Sequence, residues 1–244
     1  MDSGDLPAPG QTYEEWLATY DVHSYAEHRL SVAVDVVVLS ADDQGQLRTF
    51  LVRRTQWPDY GEWVLPGGFV RNDERLEQTV QQVMDRKVQA RQIGGLDPLR
   101  FFDDPRRDSR TRVLSMAYVA RCARNELPAP DAVRTCIAPI RGHKLHGDEA
   151  PAHLGFDHDD VLATAIDFAQ QRTRADLLWP VPMLSSQGVF TVAELAAIRE
   201  SLDAPMTLDA LRRRVAEDSR AEKYGWVEGS SGKPVQTYRM TSPG

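Results

Sequence analysis

Cysteine is scarce in this 244-residue chain, which contains only Cys122 and Cys136. Two cysteines without metal-ligand spacing exclude a disulfide scaffold and a zinc module, and they point to a reducing cytoplasm. No apolar run reaches the roughly 20 residues of a membrane span, and no signal segment opens the chain, so neither a membrane nor an exported protein is expected. An excess of positive charge is also lacking. The net charge is −7, which argues against a surface that binds nucleic acid everywhere. Residues 174–244 nevertheless carry nine basic and nine acidic side chains, and from Met206 onward seven basic face five acidic. The acidic excess therefore sits on residues 1–173, leaving a local basic face near the C-terminus. With 41% apolar and 27% charged residues, the chain has an ordinary globular composition and room for one large and one small domain.

Residues 1–11, rich in Pro, Gly and Asp, are expected to be disordered. Thr12-Tyr13-Glu14-Glu15 reads as a capping box opening a short helix. Leu30 to Leu39, LSVAVDVVVL, predicts a buried strand; Asp42 to Gly45 predicts a turn, and Arg48 to Arg54 a second strand. Phe101 to Arg112 reads as a charged loop, Arg112 to Cys122 as a strand, and Pro128 to Phe156, with four prolines, as an irregular insertion. His143 and His146, with Asp148 and Glu149 nearby, are read as surface residues because two histidines in a loop specify no ligand set. A helix follows to about Arg172, capped by Asp157 or Asp159. Residues 176–189, with Pro180 and Pro182 and no period, predict a linker between domains at 12–175 and 190–244.

The segment WVLPGGFVRNDERLEQTVQQVMDRKVQA, from Trp63 to Ala90, organises the rest. A strand ends in Leu65-Pro66-Gly67-Gly68, and a helix runs from about Arg75 to Gln89 with Leu76, Val80, Val83, Met84 and Val88 on one face. Paired glycines before a helix let the backbone approach a phosphate. The pattern resembles a Nudix box, which places glutamates on one helix face to hold Mg²⁺ for hydrolysis of nucleoside diphosphate derivatives. Anchored on Gly68, the first acid is Glu74, but the metal-binding positions hold Val83, Arg86 and Lys87, and Gln89 stands at the glycine. Two cations cannot hold a dication, so the box reads as catalytically degenerate, with no metal and no cofactor.

Past the expected linker, Thr191-Val192-Ala193-Glu194 is a second capping box. Thr207 starts a helix bearing Arg212, Arg213 and Arg214, and two short strands flank a basic hairpin tip at Lys233. Two helices and a hairpin describe a winged helix-turn-helix, whose second helix enters the major groove while the hairpin lies along the phosphates. One such module covers a half-site, so a homodimer on palindromic DNA is expected. A solvated arginine face on an interaction domain is the bland alternative.

From Tyr20 to Met240 the chain resembles the Nudix-related transcriptional regulators of NAD metabolism. The resemblance rests on YDVHSYAEHRLSVAVDVVVL, WVLPGGFVRNDE, the GFDHDDVL helix start, and a tail containing FTVAELAAI, LDALRRRV and KPVQTYRM. It implies an α+β protein, a Nudix α/β/α sandwich followed by a winged helix, that represses NAD-metabolism genes and answers ADP-ribose or a related metabolite. Carried onto this chain, Arg212, Arg213, Arg214, Lys233, Thr237 and Arg239 become DNA contacts. Arg53, Trp63, Gly67, Gly68, Phe69, Glu74, Arg86 and Lys87 become effector contacts, with only one of Arg53 and Arg54 facing the pocket. An active ADP-ribose hydrolase with an appended interaction domain, or a regulator answering a sugar phosphate, remain as alternatives.

Overall fold

The structure, a computed structural model, describes residues 11–19, 30–131, 133–147, 150–229 and 232–241. Of residues 1–11, expected to be disordered, 1–10 lie outside that set, as do the acids Asp148 and Glu149. Helix α1, Tyr13–Thr19, carries its predicted capping box: Thr12 Oγ1 accepts from the Glu15 amide at 3.3 Å, and Glu15 Oε2 from the Thr12 amide at 2.9 Å.

The central sheet is built on β1, Ser31–Ala41, which pairs antiparallel with β2, Leu47–Arg53. Two short strands follow, β3 (Trp63–Val64) on β2 and β4 (Gly67–Phe69) on β1. Strands β5 (Gly95–Phe102) and β6 (Val113–Arg121) extend the sheet on one side of β1, with β6 parallel to β1. Strands β7 (Thr135–Arg141) and β8 (Lys144–Leu145) extend it beyond β2. The order is β5-β6-β1-β2-β7-β8. Strand β1 is buried on both faces, and its period of two divides the core. Val34, Val36 and Val38 pack with Val80, Val83 and Met84 of the box helix, while Val37, Leu39 and Ala41 pack under Val161, Leu162 and Ile166 of a long helix on the opposite face. These helices are α2 (Leu76–Val83) and α3 (His158–Ala175). The predicted α/β/α sandwich is the observed architecture.

Two segments depart from expectation. The supposed insertion contains β7, a full strand of the sheet despite Pro139; β7 lies towards the edge, where a missing N–H is tolerated. Strand β5 accommodates Pro98 through a register shift between Pro98 and Phe101. Prolines hid both strands from sequence reading.

The predicted linker is also corrected. Leu177, Leu178, Trp179, Val181 and Met183 are buried, and 181–184 form a short helix, α4. Next come β9 (Val189–Thr191), α5 (Val192–Ser201), α6 (Leu208–Glu217), β10 (Ala221–Glu228) and β11 (Pro234–Met240), with a three-stranded sheet in the order β10-β11-β9. The Thr191 and Glu194 capping box forms as predicted, and Thr207 caps α6. This is the expected winged helix, enlarged by β9.

It does not hang from a tether. Phe190, Leu195, Ile198, Leu211 and Val215 share one continuous core with α3 and the sandwich. Burying each such side chain contributes roughly 1.5–3 kcal/mol. The β1–β2 turn is pressed against α5: a Cβ on Gly45, at φ +74, would stand 2.4 Å from Ala197 Cβ, and Ser201 Oγ donates to the Gly45 carbonyl at 3.1 Å. Polar clamps complete the seam. Buried Arg199 donates to the Thr173 carbonyl at 2.7 Å, and Arg174 to the Asp203 carbonyl and carboxylate at 2.8 and 2.7 Å. Arg220 joins Asp176 at the end of α3, at 2.7 Å, to Asp218 at the end of α6, at 2.9 Å.

Both cysteines are free thiols. Cys122 is buried and Cys136 half-buried, and burial pushes their pKa values up to about 12 and about 11. Among the described residues no helix is long and apolar enough to cross a membrane.

Candidate functional site

A cleft of about 830 Å³ opens between the box and the ends of β1, β2 and α3. Gly67, Gly68, Phe69, Arg53, Arg86 and Lys87, which the sequence offered as effector contacts, all line it. Arg54 lines it too. The expectation that only one of Arg53 and Arg54 could do so assumed a continuing strand, but β2 ends at Arg53 and alternation ends with it. Trp63 and Glu74 are corrections. Trp63 is half-buried against the sandwich core, with the Arg53 guanidinium 5.9 Å from its ring centre. Glu74 turns back onto its own helix, accepting from Gln82 Nε2 at 2.7 Å and Thr79 Oγ1 at 3.1 Å; the Gln82 bond leads the effects holding its carboxyl below the usual range.

The two glycines behave differently. A Cβ on Gly67 would stand 2.3 Å from Asp35 Oδ1 and 2.7 Å from the Val34 carbonyl, so only glycine lets β4 lie on β1 there. At Gly68 the nearest atom would be at an ordinary 3.4 Å. Close approach to β1 therefore explains the first glycine.

The box helix ends unusually. After Val83 it widens into a π-helical turn, Met84–Val88, closed by Gln89 at φ +57, the left-handed conformation at the box glycine position. This turn delivers Lys87 into the cleft, where Nζ donates to the Gly67 carbonyl. Burial, followed by the neighbouring Arg54, pushes the Lys87 pKa down; burial and then Arg110 do the same to Arg54. The donor set does not fit a divalent cation. Val83 is buried in the core, the ammonium of Lys87 takes the carbonyl beside the box, and no group of three acidic, His or Cys side chains among the described residues could hold a metal.

Beneath the cleft lies a buried ionic group that sequence reading missed. Asp35 Oδ2 accepts from Ser115 Oγ at 2.7 Å and from Arg107 at 3.0 Å. Arg107 also grips Asp157 through two bonds, at 2.9 and 2.8 Å. His158 Nδ1 accepts the Leu65 amide at 3.0 Å, which puts the ring proton on Nε2, 3.4 Å from Asp35 Oδ1. Burial alone would raise the Asp35 pKa, but His158, Arg107 and Ser115 together outweigh it and hold the carboxyl well below 3.8. The signal was available: Asp35 is the one charge inside an apolar strand run, and a buried charge needs partners. Asp157 opens α3 but makes no side-chain cap bond, because its carboxylate is committed to Arg107; Asp159 accepts from the Leu154 amide instead. Neither predicted cap forms. His143 pairs with Asp167 at 2.8 Å and His146 is exposed, in keeping with surface roles.

On the winged helix, Leu211 and Val215 face inward and Arg212, Arg213 and Arg214 face solvent, with Arg212 paired to Asp209 at 2.9 Å. Lys233 is exposed at the hairpin tip. Thr237 is a correction: it is buried in the central strand β11, between Thr191 and Gly225. Arg239 is half-buried and stacks on Tyr224 with its guanidinium 3.6 Å from the ring centre, so it braces the sheet.

The Nudix domain family matches residues 29–141. An ADPR responsive transcriptional repressor NtrR from Acinetobacter baylyi is 28% identical over 237 residues, covering 93% of this chain and 88% of that protein. The crystal structure of Shewanella oneidensis NrtR with a 27mer DNA is 27% identical, covers 86% of this chain and 93% of its own, and superposes with a TM-score of 0.72. The Nudix domain of that protein, crystallised with ADP ribose, is 28% identical over 65% of this chain and 99% of its own, with a TM-score of 0.52. Residues 29–141 thus match the Nudix domain, and the chain as a whole is built like the Nudix-related transcriptional regulators of NAD metabolism.

Proposed function

We propose that this protein is a DNA-binding repressor of NAD-metabolism genes, that its Nudix cleft binds ADP-ribose or a closely related metabolite without metal or turnover, and that binding releases operator DNA. The observation that carries the reading is Lys87: an ammonium on the Gly67 carbonyl, in the cleft, at a position where the box chemistry requires a carboxylate. A cation there can neutralise a diphosphate directly, as Mg²⁺ otherwise would. Binding that outlasts the encounter is what a sensor needs. The exposed arginines of α6 and Lys233 supply the DNA surface, with Thr237 and Arg239 withdrawn from it.

Coupling runs through the seam. Helix α3 begins at Asp157 and His158 beneath the cleft and ends at Asp176, which Arg220 joins to the end of α6. A displacement of α3 therefore moves the reading helix without any tether. Two such helices in a homodimer must keep half-site spacing, so a small shift weakens operator binding. Calorimetry of the full chain in EDTA with ADP-ribose, with and without operator, tests this. Binding in EDTA that DNA weakens by the same factor by which ligand weakens DNA is expected. Metal-dependent AMP release at about 1 s⁻¹ or faster would replace the reading with a hydrolase.

A further inference from the structure

The cleft is more cationic than a diphosphate requires. Of its basic residues, Arg107 and Arg110 are committed to carboxylates, with Arg110 on Asp108 at 2.7 Å. Arg53, Arg54, Arg86, Lys87 and Arg134 also line it, and among the described residues none of these five has a carboxylate within ion-pair distance. Asp131, whose Oδ1 accepts the amides of Val133, Arg134 and Thr135, attracts Arg134 without an ion-pair contact and offsets one of these five cations. That turn leaves the Arg134 side chain exposed on the cleft lining beside Arg53, whose amide donates to the Arg134 carbonyl at 2.7 Å. Lys87 and Arg54 share the cleft lining, and burial leads in pushing both pKa values down, followed by Arg54 for Lys87 and by Arg110 for Arg54. A diphosphate bridge brings only about two negative charges, whereas a phosphomonoester adds about 1.5–2 more.

We propose that the cleft selects a nucleoside diphosphate sugar bearing an additional phosphomonoester, with the diphosphate at Lys87 and Arg54 and the extra phosphate at Arg134. This deepens the effector reading above and rests on it. The same chemistry arises from a phosphate on the adenosine ribose or on the terminal ribose, and the two differ in reach. The Arg134 guanidinium on the cleft lining supplies a paired, charge-assisted contact that unphosphorylated ADP-ribose leaves unused.

The test is calorimetry of the full chain in EDTA with ADP-ribose, ADP-ribose 2′-phosphate and ADP-ribose 1″-phosphate, at two salt concentrations. One phosphorylated ligand should bind at least about tenfold tighter than ADP-ribose, with the steeper salt dependence. Arg134→Ala should collapse that ratio towards one, and Arg134→Lys should restore part of it. Equal affinity for all three, or a preference that Arg134→Ala leaves intact, overturns the proposal while the effector reading stands. If none of the three binds, both fall. A Tm within about 2 °C of wild type certifies that the variants are folded.

Discussion

Replacing Gly45 by alanine tests whether the sensor and the reader are one body. The residue sits at φ +74, and an added Cβ would meet Ala197 Cβ at 2.4 Å and the Ile198 amide nitrogen at 3.0 Å. Forcing an L-residue into the left-handed region costs about 1–2 kcal/mol. Overpacking a closed contact costs about 1–3 kcal/mol more, because neither the α5 backbone nor a methyl group can move far. Together these give a loss of about 2–5 kcal/mol, and for a protein of this size a fall in Tm of about 4–20 °C. Gly142→Ala is the control, since Gly142 shares a positive φ of +61 but has nothing within 4 Å of its added Cβ; it should lose only the backbone part. Calorimetric melting should show a single transition that moves as a whole for Gly45→Ala, together with weaker operator binding. A Tm within about 2 °C of wild type, or two transitions of which one stays fixed, would refute the continuous core.

Three further outcomes are expected. Because Asp35 is held below 3.8 in the native state, its stabilisation is fully present above about pH 4 and is lost as pH falls towards its native pKa; Asp176 and Asp218 act in the same direction. Melting from pH 7 down to about pH 2.5 should therefore show the loss beginning below about pH 4, less steep in Asp35→Asn, and an unchanged slope in that variant would count against the network. Arg213→Ala and Arg214→Ala should weaken operator binding without changing Tm, and each lost phosphate contact should reduce the salt slope by about one unit in a mobility-shift series. Lys87→Glu should abolish ADP-ribose binding in EDTA, measured by calorimetry; retained affinity would remove the cation substitution from the mechanism.

The sandwich and the winged helix were legible in the sequence because their signals are local. Alternating valines in β1, helical spacing in α2 and two capping boxes each act within a few residues. What escaped depends on distant partners. Pro139 and Pro98 spoke against strands locally, and pairing with β2 and β6 overrode them. Asp157 had the position of a cap, but Arg107, fifty residues away, claimed its carboxylate. Residues 177–183 lack any period because they are buried on several sides, and without a partner in view that pattern reads as a linker. Six of the residues named from the motif and the resemblance line the cleft. The burial of Thr237 and the return of Glu74 onto α2 required the third dimension.

The two thiols have a consequence of their own. Oxidants and alkylating reagents attack thiolate, and with pKa values of about 12 and about 11 the charged form at pH 8 is about one part in ten thousand and one in a thousand. Peroxide thus finds almost no purchase on these two thiols, and thiol oxidation offers no switch at Cys122 or Cys136. The same inertness makes the wild-type chain a quiet background for spectroscopy. One cysteine placed on the exposed face of α6 would take a maleimide label nearly alone, and pairs of labels across a dimer would report the distance between reading helices directly.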